Sequence, residues 1–186
     1  MAHHPRSAND FGNPTDLTAY VRKLEGPDRD EWQKPGEVLG ALELRRDQVV
    51  GEIGAGSGYF TLRLAPAVTH VFAADADVRL VELLRQRVAS NSLRNVTPVL
   101  ALAEDPFLPS GRCDLVLTVN AYHHFPEPPS YLRRVARALR PGGRIAIIDF
   151  HEKTKRAQVI RDAKAAGLRV TAEHLFLPQQ HFLVFE

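Results

Sequence analysis

Three groups of residues in this chain have the types and spacing to do chemistry. The first is Glu52-Ile53-Gly54-Ala55-Gly56-Ser57-Gly58, which follows the apolar run from Val49 and precedes Tyr59-Phe60. Glycines at alternate positions let the backbone turn sharply and approach a ligand with no Cβ in the way. The turn into a helix N-terminus is where such ligands sit. A nicotinamide fingerprint needs its third glycine one residue later, where Tyr59 stands, so the loop leans away from a pyrophosphate and toward a ligand without phosphate. The bland alternative is a glycine-rich turn with no ligand. The second group is Asp75, which ends the run Val71-Phe72-Ala73-Ala74, 17 residues beyond Gly58. An acid there sits at the carboxyl edge of a sheet, where its two oxygens can accept both hydroxyls of a ribose. Asp77 competes for that role but reads better as a helix N-cap. The third group is Asn120-Ala121-Tyr122-His123-His124-Phe125. His123 and His124 are candidate bases and Tyr122 a candidate positioning hydroxyl, although one histidine of such a pair can equally serve the backbone at a strand end. Adjacent side chains diverge, and neither CxxC nor HxxxH spacing supports them, so no metal is expected.

These groups need a scaffold, and the punctuation from Gln48 onward supplies one. Short apolar runs rich in β-formers at 48–53, 69–75, 96–101, 113–120 and 143–150 alternate with helical patterns near 59–66, 77–91 and 128–140. That alternation predicts a parallel sheet with helices on both faces. Arg140-Pro141-Gly142-Gly143 reads as a helix stop and turn. Pro98 inside the third strand argues for an edge position, because proline cannot donate to a central ladder. A helix over about 154–166 and two β-like stretches, 168–177 and 181–186, close the chain as an antiparallel hairpin. Before the sheet, Leu17, Tyr20, Val21 and Leu24 recur at helical spacing, and a second helical stretch passes Trp32 and resumes after Lys34-Pro35 with Val38, Leu39 and Leu42 on one face. The expected organisation is a flexible tail over 1–14, N-terminal helices over 15–44 that cover the site, and one α/β domain over 45–186.

Composition excludes more than it identifies. With 24 basic against 22 acidic residues, nothing in the charge balance calls for nucleic acid or a membrane surface as partner. The arginines 133, 134, 137, 140 and 144 read as a solvated helix face. The lone Cys113 excludes an intramolecular disulfide and is expected in the core. No apolar stretch is long enough to span a bilayer, and MAHHPRSANDFGNP lacks the hydrophobic centre of a signal peptide, so a soluble, cytoplasmic chain is expected.

The acid two positions before GxGxG, Glu52 to Gly58, resembles motif I of the class I (Rossmann-like) S-adenosylmethionine-dependent methyltransferases. That resemblance spans roughly residues 30–150 and includes the W-Q-K-P segment at Trp32 and the Y-H-H-F segment at Tyr122. It implies an α/β, doubly wound, mostly parallel seven-stranded sheet of order 3-2-1-4-5-7-6 with the last strand antiparallel. It also implies S-adenosyl-L-methionine as cofactor and S-adenosyl-L-homocysteine as product. Gly54, Ala55, Gly56, Gly58 and Tyr59 then lie under the methionine part, Glu52 orients its ammonium, and Asp75 binds the ribose beside Ala76. At the adenine end many relatives carry an acid where this chain has Leu102. Leu102 and Ala76 are therefore read as apolar walls, with a backbone N–H near Ala103 on the ring and Glu104 or Asp105 as the substitute acceptor, Glu104 being the first choice. Asn120 is expected beside the cofactor, and Asp149, Phe150 and His151 on the opposite wall of the cleft.

The acceptor is read as a small molecule. The asparagine segment lacks the two prolines of the N-P-P-Y type found in base-modifying relatives, and the reactive cysteines of arsenite methyltransferases are absent. Between strand five and its helix there is room for only a short lid, which leaves Tyr20, Trp32, Gln33 and Lys34 as candidate covering residues. Such a lid implies an open cleft for a bulky acceptor or a homodimer that completes the site. The alternative functions are a non-catalytic S-adenosylmethionine-binding sensor or partner subunit, and a nicotinamide oxidoreductase, which the glycine spacing disfavours.

Overall fold

The structure, a computed structural model, describes residues 14–186. The tail expected over 1–14 lies, except for Pro14, outside the described residues. Three short helices come first: α1 (Leu17–Leu24), α2 (Arg29–Gln33) and α3 (Pro35–Ala41). Asp16 caps α1, its carboxylate accepting from the Ala19 N–H at 3.0 Å. α2 and α3 meet at Lys34, a non-glycine residue at φ 46°, and Pro35 then takes the first position of α3, where its missing N–H costs nothing. α2 buries two polar side chains, Arg29 and Gln33, rather than apolar ones.

The sheet contains β1 (Val49–Ile53), β2 (His70–Asp75), β3 (Val96–Leu100), β4 (Cys113–Val119), β5 (Leu139–Phe150), β6 (Val170–His174) and β7 (Gln180–Phe185). Their order is β3-β2-β1-β4-β5-β7-β6. All neighbours are parallel except β7, which runs antiparallel to both β5 and β6. The helices between strands are α4 (Thr61–Leu64), α5 (Val78–Ser90), α6 (Pro128–Ala138) and α7 (Arg156–Ala165). Central strands are covered on both faces, so β4 and β5 read as nearly unbroken apolar runs. Their alternate side chains feed two separate cores, one with Leu115, Leu117 and Ile148 and the other with Val116, Ile145 and Ile147. Cys113 lies in the second core with no exposure, and burial pushes its thiol up to about 11. Pro98 sits on β3, at the sheet's edge.

Three boundaries differ from expectation. Arg140 to Gly143 is not a turn outside the sheet: β5 starts at Leu139, paired with Cys113, and the register then jumps so that Leu115 faces Arg144. The extra residues form a bulge, which glycine at Gly142 (φ 76°) accommodates. The sixth strand stops at His174 instead of running to 177, and the helix expected over 59–66 keeps α geometry only over Thr61–Leu64 before tightening into a 3-10 turn.

Candidate active site

The carboxyl ends of β1, β2 and β4 open into a cleft of about 430 Å³, at the point where strand order reverses. β1 delivers Glu52, and the chain then turns through Gly54, Gly56 and Gly58 at φ 74°, 56° and 89°. A Cβ on Gly54 would lie 2.4 Å from the Ala121 Cβ, so the loop after β1 and the loop after β4 touch at a distance only glycine permits. Glu52 is 3% exposed and accepts the Thr61 hydroxyl at 2.5 Å. Burial pushes its carboxyl up to about 8, against the opposing pull of Thr61 and Arg29.

Asp75 ends β2 with its two oxygens shared between loops. One accepts the Gly56 N–H at 2.8 Å and the other the Asp77 N–H at 2.9 Å. Burial raises its carboxyl, and those N–H groups pull it back. Asp77 is the N-cap of α5, as expected, accepting from the Arg79 N–H at 2.9 Å. Ala76, Leu102 and Ala103 line the same cleft with Ala55 and Tyr59. Glu104 does not: it is exposed, and its contact is through its carbonyl, which accepts from Arg134. The chain after Leu100 turns Leu102, not the acid, toward the cleft.

The segment after β4 divides its side chains. Asn120 (φ 57°) and a 3-10 turn at Tyr122–His124 put His123 and His124 on the cleft wall, their rings 4.0 Å apart. Tyr122 points the other way. It is buried in the second core, donates to Asp162 of α7 at 2.6 Å, and its phenol is raised by that burial, so it is a structural hydroxyl and not an acceptor-positioning one. Asp149 is likewise not an exposed wall residue. It has no exposure, and it clamps His123 twice, accepting the backbone N–H and contacting Nδ1, each at 2.8 Å, while also taking the Phe150 N–H. Phe150 does line the cleft, against Trp32 with ring centroids 5.6 Å apart. His151 lies outside it, its Nδ1 3.0 Å from that of His181.

Asn120 reaches the cleft, but its amide is engaged elsewhere. Asn120 Nδ2 donates to Gln33 Oε1 (3.2 Å), Gln33 Nε2 to Gln180 Oε1 (2.8 Å), and Gln180 Nε2 to Asn120 Oδ1 (2.5 Å). This closed ring of amides ties α2 to the ends of β4 and β7, with Gln33 at 0% and Gln180 at 2% exposure. Tyr20 and Trp32 also line the cleft, and α2 adds Arg29, a residue the sequence did not single out. Among the described residues no group of three or more His, Cys, Asp or Glu side chains is placed to hold a metal, and no helix is long and apolar enough to cross a membrane.

Comparison with known proteins agrees with this architecture. Residues 51–147 match the model of a family described as "Methyltransferase domain". An uncharacterised methyltransferase of Bacillus subtilis, YcgJ, is 31% identical over 141 residues, which cover 74% of this chain and 56% of that protein. A second from the same organism, YdaC, is 26% identical over 81% of this chain and 85% of its own length. Among solved structures, an S-adenosylmethionine-dependent methyltransferase from Aquifex aeolicus superposes with a TM-score of 0.84 over 92% of this chain and 98% of that one. It is 22% identical and shares the fold. The chain belongs to the methyltransferase domain family, and its sheet is that of the class I S-adenosylmethionine-dependent methyltransferases. It spans about half, 56%, of the length of the first curated relatives it matches.

Proposed function

We propose that this chain transfers the methyl group of S-adenosylmethionine to an oxygen, nitrogen or sulfur atom of a small-molecule acceptor by in-line displacement. The observation that carries the reading is one cleft in which the glycine loop, Glu52 and Asp75 face His123, itself clamped by Asp149. When bound, S-adenosylmethionine supplies a methyl group on a positively charged sulfur. The residues fit that group. Glu52 is a buried carboxyl suited to an ammonium, Asp75 keeps lone pairs beyond its backbone contacts for two ribose hydroxyls, and Ala76, Leu102 and Ala103 are apolar walls for a planar base.

The chain's own contribution is orientation and proton handling. Asp149 next to Nδ1 fixes the His123 ring and its tautomer, which directs proton uptake to Nε2. A hydroxyl, thiol or ammonium acceptor must lose a proton on methylation, and a positioned histidine accepts it. Trp32 and Phe150 supply an aromatic wall beside it, and the helices over 15–44 act as the cover of the cleft. Incubating the purified chain with S-adenosylmethionine and a panel of phenols, amines and thiols tests this, with S-adenosylhomocysteine and methylated acceptor read by mass spectrometry. Matched amounts of both support methyl transfer. Tight cofactor binding with no product on any acceptor favours the sensor or partner-subunit reading, and no binding overturns both.

A further inference from the structure

Arg29 is a cation in an unusual position. It lies on α2, outside the segments that carry the glycine loop and the acids, and is only 8% exposed. The cleft has two other cationic side chains on its wall, Lys23 and Lys153, and both are exposed. A buried guanidinium brings five N–H donors that water no longer serves. Its Nη1 donates to the Leu24 carbonyl, and its Cζ lies over the Tyr59 ring, 3.7 Å from the centroid. Its Nε is buried with no hydrogen-bond partner among the described residues. An unpaired buried charge of this kind is costly in isolation, which is a reason to ask what anion completes it.

The surroundings locate that anion. Tyr59 directly follows Gly58, and a Cβ on Gly56 would meet Leu24 Cδ1 at 3.2 Å, so both groups that hold Arg29 sit at the glycine loop. Burial lowers the Arg29 guanidinium, and the nearby Glu52 carboxyl opposes that shift. Gln33 is one helical turn along on the same face of α2, and the amide ring holds that turn to the ends of β4 and β7. The charge is thus fixed in place before any ligand arrives.

We infer that Arg29 is the counter-ion for the carboxylate of the cofactor's amino-acid end, with Glu52 taking the ammonium of the same group. The assignment rests on the cofactor reading above. It makes α2 part of the binding site and gives the Tyr59 ring a supporting role under the guanidinium. A guanidinium and a carboxyl on one wall match an amino-acid zwitterion and distinguish it from a plain nucleoside.

Calorimetry with two ligands isolates the carboxylate: S-adenosylhomocysteine, and its decarboxylated analogue S-adenosyl-3-thiopropylamine, which keeps the nucleoside, sulfur and ammonium. Wild type should bind S-adenosylhomocysteine about 10–100-fold more tightly than the amine, the range expected for one to two charge-assisted hydrogen bonds. Arg29→Met should lose most of that preference while binding the amine within about 3-fold of wild type, and Arg29→Lys should keep part of it. Should Arg29→Met fail to fold, the same affinity ratio in Arg29→Lys decides, a reduced preference supporting the assignment. An unchanged ratio in a folded variant, or equal loss of both ligands, overturns it. Wild type that binds neither ligand instead removes the cofactor reading itself.

Discussion

At the scale of single residues, the site buries ionisable side chains, Glu52 and Arg29 among them, and this has opposite consequences for stability and binding. Glu52 carries a carboxyl raised from 4.5 to about 8, so its ionised form is disfavoured in the fold. The sign follows directly. Below the unfolded value both states are protonated and no penalty applies; the penalty then grows as pH rises and levels off above the folded value. Glu52→Gln should therefore match wild type in stability near pH 4.5 and exceed it by roughly 1–3 kcal/mol at pH 8, while weakening cofactor binding. Denaturant unfolding at the two pH values checks it, and an equal difference at both would show that desolvation of Glu52 is not the cause. His123 gives the second prediction at this scale. His123→Ala should lower turnover about 100-fold or more and leave S-adenosylhomocysteine affinity within about 3-fold, as expected when a base but no cofactor contact is lost. Asp149→Asn should reproduce part of that loss, because the buried carboxylate that orients the ring is gone. Full activity in both variants would make catalysis purely positional.

At the scale of elements, the strands and helices were largely legible because their signals are local. The alternation of apolar runs with helical patterns, the cap at Asp77 and the edge proline at Pro98 each depend on a few consecutive residues. The bulge in β5 was not legible, since Arg140-Pro141-Gly142-Gly143 has turn chemistry and only its pairing with β4 draws it into the sheet. The same holds for side chains whose partners are distant in sequence. Tyr122 is committed to Asp162, 40 residues away, and His123 to Asp149, 26 away. Arg29 and Gln33 left a fainter trace: they occupy the inward face of α2 where apolar residues would be expected, and that mismatch was the available signal. The amide ring makes α2 testable as an element. Gln33→Ala removes one member and leaves buried amide groups of Gln180 and Asn120 without their partner, a cost of about 1–3 kcal/mol. Hydrogen exchange should accelerate in α1 and α2 and stay slow in β1, β4 and β5. Uniform acceleration throughout the sheet would mean that the ring supports the whole domain and not the cover.

At the scale of the whole molecule, the cleft exists because β1 and β4 are paired neighbours whose following helices, α4 and α6, pack into the two different cores, and the closeness of the loops leaving these strands limits what the sequence can change. The strand order followed from the family resemblance, but the distance between the two loops was not legible. The Gly54 loop and the Ala121 loop approach so closely that a Cβ at Gly54 would sit 2.4 Å from the Ala121 Cβ, and Gly54 also holds φ 74°. Two separate penalties therefore apply to Gly54→Ala. Left-handed backbone costs an L-residue about 1–2 kcal/mol, and the overpacked contact costs roughly 1–3 kcal/mol more. The clash term belongs to the pair and the backbone term to Gly54 alone, so the two can be separated. Ala121→Gly in the Gly54→Ala background should recover the clash term and leave the backbone term, a coupling of about 1–3 kcal/mol in a double-mutant cycle read by urea unfolding. Cofactor binding should recover in parallel, since the loop regains its path between the strands. If the second substitution recovers nothing, the loops do not meet through these two positions, and the glycine is required by its backbone conformation alone.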